Sequence, residues 1–557
     1  MSATTTSRPS ARRQTSLAQR VHSVALLFAV GAPLLLFAAT GRYELSLLDE
    51  GFLWYGAQRV RAGELPLLDF QSYDIGRYYW SAFWMWLTGS DGILPVRAGN
   101  AVLGSISVAI AVGLVRAGRN RSRWQLIGAA VLVAAWMVPD YKNADSFAAL
   151  LLVAGLAGWL DRPADWRRAL SYGVCLGVAS TIGINHALYG TVAFALALSW
   201  HWWVRRSALD GRVFAALAFG IVLGYLPVLV CHVGVAGFST AFADSIQHIF
   251  EAGTTNLPLA LPRLTAVSDQ AGHGSGKALR ESFLAAWLIL AVMLWANGAA
   301  RLGRRPDLTG ELPSAVFCAA LIVCVPYVHY ALSRLDVTHV AVGAPALLIA
   351  VFTHPRASSG SAVARIGLFC MALATLILVP AEHRGYQALR GLPHQTIVLR
   401  GERLHVSVDT ATEITWLRGV TETFASDSKT FYAAPYWPGA YAAMRRRSPT
   451  WEIYALFPSN SVRQRREIER LSAASVGFAV ISRRSVDDRV DLGFSQTHPL
   501  IDEYLQHCYS RAAPSPAAPP GVETFLATSI SRVASQHLPQ AQHSLCKPMT
   551  QISLPKI

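Results

Sequence analysis

Val21-His22-Ser23-Val24-Ala25-Leu26-Leu27-Phe28-Ala29-Val30-Gly31-Ala32-Pro33-Leu34-Leu35-Leu36-Phe37-Ala38-Ala39-Thr40 carries no Asp, Glu, Lys or Arg. A helix rises about 1.5 Å per residue, so this run matches the roughly 30 Å hydrocarbon core of a bilayer. Arg8, Arg12, Arg13 and Arg20 precede it. Basic residues before a first span favour a cytoplasmic N-terminus. A cleaved signal peptide would need a small-residue cleavage site, which the run lacks, and apolar segments continue far beyond it.

Ten further apolar runs follow, at about 95–115, 124–139, 146–160, 169–184, 187–204, 213–236, 283–300, 313–330, 337–352 and 362–381. Arg clusters fall at alternate turns: Arg116, Arg119, Arg121 and Arg123; Arg162, Arg167 and Arg168; Arg205 and Arg206; Arg301, Arg304 and Arg305; then Arg356. Placed in the cytoplasm, they leave the first outer loop as an exception, with Arg42, Arg59, Arg61, Arg77 and Arg97. The expected architecture is an α-helical polytopic membrane protein of about eleven transmembrane helices with a C-terminal soluble α/β domain. Residues 1–20 form a cytoplasmic tail, 21–381 the membrane domain and 382–557 an extracytoplasmic domain. In that last part 430–434 and 476–481 read as strands, 462–472 and 499–508 as helices, and 512–520 as a turn-rich Pro/Ala linker.

Composition agrees. The 557 residues are 52% hydrophobic and only 15% charged, against about 25% charged in soluble domains. The net charge of +15 would raise nucleic acid as a partner in a soluble chain. Here the Arg residues flank apolar runs and suit lipid headgroups, so membrane lipids are expected as partners and nucleic acid is not. Of seven cysteines, Cys175, Cys231, Cys318, Cys324 and Cys370 lie in apolar runs. Cys508 and Cys546 lie in the polar C-terminal part, where an extracytoplasmic location allows a disulfide.

Ionisable residues are costly inside a membrane domain, so their positions carry information. The first outer loop reads Leu48-Asp49-Glu50-Gly51-Phe52-Leu53-Trp54-Tyr55. Asp49 stands where a helix N-cap belongs, and Glu50 suits the positive helix end. Asp69-Phe70 and Tyr73-Asp74 follow, then Tyr78-Tyr79-Trp80 with Phe83, Trp84 and Trp86, an aromatic run suited to a helix at headgroup level. The second outer loop contains Asp140, Lys142 and Asp145, and the third turn carries Asn185-His186. In the fourth, Asp244, Gln247, His248 and Glu251 share a helical face, which is a solvated face or a place for a cation held by Asp244 and His248. The fifth reads Ser333-Arg334-Leu335-Asp336-Val337-Thr338-His339. Arg334 and His339 suit a phosphate, with Asp336 orienting either; a salt-bridged helix start is the alternative. All five sets fall on the outer face of the expected topology. Together they suit transfer from a lipid-linked phosphate, with a carboxylate taking the proton of an acceptor hydroxyl and cations stabilising the leaving phosphate.

Asp49-Glu50-Gly51, Gly63-Glu64-Leu65-Pro66-Leu67-Leu68-Asp69-Phe70, Tyr78-Tyr79-Trp80 and Arg97 resemble the first loop of bacterial membrane glycosyltransferases of the GT-C fold. These are relatives of the protein O-mannosyltransferases and the aminoarabinose transferase of lipid A. The resemblance covers the first loop well and the membrane domain loosely. It implies inverting sugar transfer from a polyprenyl-phosphate donor to a glycan, lipid or protein acceptor at the outer face of the cytoplasmic membrane. Asp49 would be the catalytic base and Glu50 its neighbour or a metal contact, with Glu50, Asp244 and His248 as possible metal ligands and no certain cofactor. Asp69, Tyr73, Asp74, Tyr78, Asp140, Lys142, Asp145, His186, His248, Arg334, Asp336 and His339 would meet substrate. Asp74-Ile75-Gly76-Arg77 stands where the family shows Gly-Pro or Pro-Pro, and Asn185-His186 where some members have Lys or Arg for phosphate. The competing readings are a transporter or lipid-linked-sugar flippase, and a non-catalytic subunit of envelope glycan assembly. A transporter predicts midplane sites and internal repeats, and no repeat is evident.

Overall fold

The computed structural model describes residues 10–72, 74–118, 123–205, 208–253, 256–257, 275–303, 313–354, 362–425, 429–484, 486–487 and 489–527. In chain order the helices are α1 (Ser10–Thr40), α2 (Asp49–Arg61), α3 (Gly76–Thr88), α4 (Leu94–Ala117), α5 (Arg123–Ala135), α6 (Asn143–Asp161), α7 (Trp166–Ile182), α8 (Ile184–Arg205), α9 (Gly211–Gly234), α10 (Phe238–Ala252), α11 (Ser275–Leu302), α12 (Ala315–Ser333), α13 (Val337–Thr353) and α14 (Ala362–Leu378). The C-terminal part contributes α15 (Tyr386–Leu389), β1 (His394–Leu399), β2 (Glu402–Ser407), α16 (Val408–Phe424), β3 (Thr430–Ala434), α17 (Pro438–Met444), α18 (Ser461–Ala473), β4 (Val476–Ser482), α19 (Phe494–Thr497), α20 (Pro499–Cys508), β5 (Tyr509–Arg511) and β6 (Val522–Ala527). Two compact units result. One gathers Met1–Gly41, Asn100–Leu229 and Asn256–Tyr386; the other gathers Arg42–Gly99, Val230–Thr255 and Gln387–Ile557.

Each expected span coincides with a helix. Among the described residues six are long and apolar enough to cross a membrane: Ser23–Thr40, Leu94–Ala117, Asp140–Asp161, Gly211–Gly234, Leu279–Ala300 and Ala315–Ser333. Three shorter apolar helices lie at Arg123–Ala135, Val337–Thr353 and Ile366–Glu382. The chain is therefore a multi-pass membrane protein, and exposed apolar side chains such as Leu27, Phe28, Phe219 and Phe369 are those a bilayer covers.

In the first unit α6 is buried along most of its length, with Ala148, Leu152, Leu156 and Trp159 fully enclosed. Glycines allow α7 and α9 to touch backbone to backbone. A Cβ added to Gly177 would stand 2.5 Å from the Ile221 carbonyl oxygen, and one on Gly173 would stand 2.2 Å from that of Leu217. The partners Gly220 and Gly224 repeat the four-residue spacing, the small-residue seam of close membrane helices. One expectation is corrected here. The turn between the fifth and sixth spans falls at Gly183, whose backbone is extended (φ −168°, ψ 132°), and Asn185-His186 instead opens α8. Glycine is required at the break because a Cβ would lie 2.3 Å from Asn185 Oδ1 and 2.7 Å from His186 Cδ2.

The second unit joins the first outer loop and α10 to the C-terminal part. Its main sheet has the order β3-β4-β6-β5. β3 and β4 run parallel through a crossover that includes α17 and α18, and the other pairings are antiparallel. Tyr432, Leu471, Ala479, Ile481, Phe494, Ile501, Leu505 and Phe525 form its core. β1 and β2 make a hairpin whose turn residues Arg400 and Gly401 both have positive φ, the twist such two-residue turns require. β2 also binds the first loop: Glu44 N–H donates to the His405 carbonyl at 2.8 Å, and His405 N–H donates to that of Arg42 at 2.8 Å. The strands and helices expected at 430–434, 476–481, 462–472 and 499–508 are all present within a residue at each end. Cys508 is disulfide-bonded; Cys546, with which the sequence allows a disulfide, lies outside the described residues.

Candidate functional site

In the second unit α2 begins at Asp49 itself. Its N-cap residue is Leu48, and no side chain caps it. Asp49 is thus the first helical residue, not the cap expected from the sequence. It stays exposed, and Tyr436 Oη donates to its Oδ1 at 2.5 Å. Glu50, one residue on, turns inward and is 1% exposed. Arg97, fully buried, donates to it through Nε (2.6 Å to Oε1) and Nη2 (2.8 Å to Oε2). The same guanidinium donates to the carbonyls of Tyr43 (3.2 Å) and Glu44 (2.6 Å). A buried bidentate pair of this kind fixes geometry, because either charge alone would be stranded. The acidic pair is therefore divided: Glu50 anchors the start of α2, and Asp49 is presented.

The remaining first-loop residues take structural places. Asp69 Oδ2 accepts from Leu65 N–H at 2.7 Å, closing the turn in which Leu67 has a positive φ of 73°. Tyr78 is fully buried and packs edge to face on Phe52 and Phe70. Asp74 is buried, 3.9 Å from Arg77. Tyr73 lies outside the described residues. α3 exposes Tyr79, Phe83, Trp86 and Leu87 along one edge, while Ser81, Ala82 and Met85 are buried.

Also in this unit, α10 docks its polar face on the C-terminal part. Arg463 donates to Asp244 at 3.3 and 3.4 Å, and Asn460 Nδ2 donates to Glu251 at 2.8 Å. His248 Nε2 lies 3.9 Å from Glu452, which lies 3.3 Å from His498. Burial lowers the His248 pKa. Burial resists ionisation of Glu452, yet His498 and His248 hold its pKa below the ordinary value. The face expected to be solvated is thus an internal contact. Among the described residues no three His, Cys, Asp or Glu side chains gather to hold a metal ion. Glu50, Asp244 and His248 do not form one set; Arg97, Arg463 and Glu452 are respectively their neighbours.

In the first unit the helix junctions bring the second, third and fifth outer segments together. Asp336 caps α13, accepting from His339 N–H at 2.9 Å. His339 Nδ1 donates to Asp336 Oδ1 at 2.7 Å, which leaves Nε2 to accept from Lys142 Nζ at 2.9 Å. Thr338 Oγ1 donates to Asp336 at 2.7 Å and Arg334 Nε at 2.8 Å. Burial opposes ionisation of Asp336, but the His339 and Thr338 bonds hold its carboxyl well below the usual range. Lys142 Nζ also lies 5.8 Å above the Tyr330 ring. Asp140 receives Arg384 bidentately, at 2.5 and 2.9 Å. Asp145 and His186 meet deeper, at 2.9 Å, both almost completely buried. An ionised Asp145 only accepts, so His186 Nε2 donates to it and Nδ1 accepts from Tyr327 Oη at 2.7 Å. Three cations, Lys142, Arg334 and Arg384, thus stand with the carboxylates Asp336, Asp140 and, deeper, Asp145, a set of charged donors suited to an anionic group.

Tyr436, Arg384 and Tyr327 carried no local signal in the sequence. Each is an ordinary Tyr or Arg whose partner lies far along the chain. No protein-family model matches the chain, and no curated protein matches it. Among solved structures, the oligosaccharyltransferase of Archaeoglobus fulgidus in its apo form is similar with a TM-score of 0.44 and 13% identity, over 92% of this chain and 74% of that one. ArnT from Cupriavidus metallidurans bound to undecaprenyl phosphate is similar with a TM-score of 0.48 and 12% identity, over 94% of this chain and 100% of that one.

Proposed function

We propose that the chain is a membrane glycosyltransferase of the GT-C kind, which moves a sugar from a polyprenyl-phosphate donor to an acceptor hydroxyl outside the cytoplasmic membrane. The observation that carries the reading is the division of the acidic pair: Glu50 is locked by Arg97, while Asp49 is exposed and oriented by Tyr436. A carboxylate held this way suits a general base. In the step, the acceptor O–H gives its proton to Asp49 as its oxygen bonds to the anomeric carbon. The bond from that carbon to the phosphate oxygen breaks, and its electron pair stays on the polyprenyl phosphate. Attack opposite the leaving group inverts the anomeric centre. Within the first unit, Lys142, Arg334 and Arg384 are the cations suited to a phosphate. Against a transporter, the ionisable side chains of the first unit collect at helix junctions, whereas transporters bind at the midplane on broken helices.

The test is purified protein in lipid nanodiscs with a panel of polyprenyl-phosphate sugars, following which donor is consumed. Asp49→Asn is expected to insert and melt like the parent and to lose transfer by about 100-fold or more, the scale of a general base. Full transfer by Asp49→Asn removes Asp49 from the mechanism; no consumption of any donor by the parent removes the activity.

A further inference from the structure

The C-terminal part contributes more to the Asp49 loop than one tyrosine. Past β3 the chain turns at Pro435, whose carbonyl accepts from Ala455 N–H at 2.8 Å. That bond lays residues 453–457 beside Tyr436. Gln71 of the first loop accepts through Oε1 from the N–H groups of Ile453 (3.1 Å) and Tyr454 (2.8 Å). The rings then line up. Tyr436 and Tyr454 meet edge to face at 4.2 Å, Tyr454 and Phe457 stack at 6.1 Å, and Phe52 of α2 packs on Tyr454 at 5.6 Å. Ile453, Ala455 and Leu456 are buried, whereas Tyr436, Tyr454 and Phe457 are partly open.

The shelf is held rigidly against Asp49. A Cβ on Gly51 would stand 2.5 Å from Gly439 Cα, and one on Gly439 would stand 2.7 Å from Leu47 Cα. Gly439 N–H also donates to the Leu47 carbonyl at 2.8 Å. α2 and α17 therefore touch through their backbones, and Asp49 keeps its distance from the shelf.

We infer that Tyr436, Tyr454 and Phe457, with Asp49 at their edge, form an acceptor subsite for a saccharide ring. The inference rests on the glycosyltransferase reading and names its acceptor class. Aromatic faces pack on the C–H faces of a pyranose, while a carboxylate and phenol hydroxyls bind its hydroxyls. A lipid chain laid here would bury a carboxylate against hydrocarbon without compensation, and a phosphate would meet a like charge. Tyr436 is a positioning residue that fixes the Asp49 carboxylate, and Tyr454 supplies the platform.

The experiment uses the full-length protein in nanodiscs, with maltotriose and mannotriose as probes, followed by saturation-transfer NMR. All three variants, Tyr454→Ala, Tyr454→Phe and Tyr436→Phe, are checked for parental melting. Tyr454→Ala is expected to weaken binding of at least one probe about ten-fold, and Tyr454→Phe to keep it. Tyr436→Phe is expected to keep binding but to lower kcat for donor consumption and to displace the acid limb of its pH profile. Absence of binding by the parent, or unchanged binding in Tyr454→Ala, overturns the subsite. If the parent binds a trisaccharide and Tyr454→Ala loses it, yet no donor is consumed, the saccharide subsite stands and the transferase reading falls.

Discussion

Replacing Arg97 by Met isolates what holds the start of α2. The substitution keeps the apolar stem and removes a guanidinium that donates twice to Glu50 and also to the carbonyls of Tyr43 and Glu44. Both side chains of the pair are at most 2% exposed, so the remaining carboxylate cannot turn to water. Breaking one side of a buried pair costs about 3–5 kcal/mol. At about 2–4 °C per kcal/mol for a unit of a few hundred residues, the apparent melting temperature should fall by roughly 6–20 °C. The second arm is Arg97→Met with Glu50→Leu. It removes the stranded charge, so the pair's share of the loss returns; the Tyr43 and Glu44 carbonyls stay unsatisfied at about 1–3 kcal/mol each. The double variant should therefore melt above the sum of the two single losses, with a coupling of at least about 1 kcal/mol. Thermal unfolding of detergent-purified protein, read by tryptophan fluorescence, supplies all four corners. A double variant that loses the full sum would show that Glu50 and Arg97 do not act as a pair, and the division of the acidic pair would fail with it.

Lys142→Met removes a charged donor from the His339 and Asp336 cluster; hydrogen bonds to charged groups contribute about 1.5–3 kcal/mol. A short-chain polyprenyl phosphate should therefore bind roughly 10–150-fold more weakly, measured by microscale thermophoresis, and unaltered binding excludes Lys142 as a phosphate contact. Burial raises the Glu467 carboxyl from 4.5 to about 7 and the Glu413 carboxyl likewise to about 7. The folded state keeps both protons above the pH at which the unfolded state gives them up. Their contribution to stability is then fully present below about pH 4.5, is lost as pH rises to about 7 and is level beyond, by order 3 kcal/mol for Glu467. Glu467→Gln, which keeps an acceptor for Trp451 N–H, should flatten about half of that slope in melting temperature against pH; an unchanged slope refutes the assignment.

Features set by neighbouring residues were readable in advance. The 499–508 helix has Pro499 at its first position, and the 430–434 and 476–482 strands are nearly continuous apolar runs with buried side chains. Spans came from run length and flanking Arg. Errors arose where a local rule met a distant partner. Asp49 fits an N-cap by residue type, but the helix starts one residue earlier than that rule implies, and the carboxylate goes to Tyr436, 387 positions away. The α7–α8 break was assigned to the polar pair Asn185-His186, although Gly183 breaks the helix and His186 turns inward to Asp145. Asp244, Glu251 and His248 share a helix face as their spacing says, but nothing local shows that Arg463 and Glu452 cover it.

The knitting of the first outer loop to the C-terminal part also has a consequence for biogenesis. Asp49 leaves the ribosome long before Tyr436, and at about 5–20 residues per second the 387 intervening positions take roughly 20–80 s. Through that interval α2 is without α17, Arg42 and Glu44 are without β2, and Gln71 is without Ile453 and Tyr454. The loop must wait, unfinished, while the later helices are made. Chains that stop short of residue 430 would carry α1 to α14 yet never complete the loop that presents Asp49. A segment made late thus closes a loop made early.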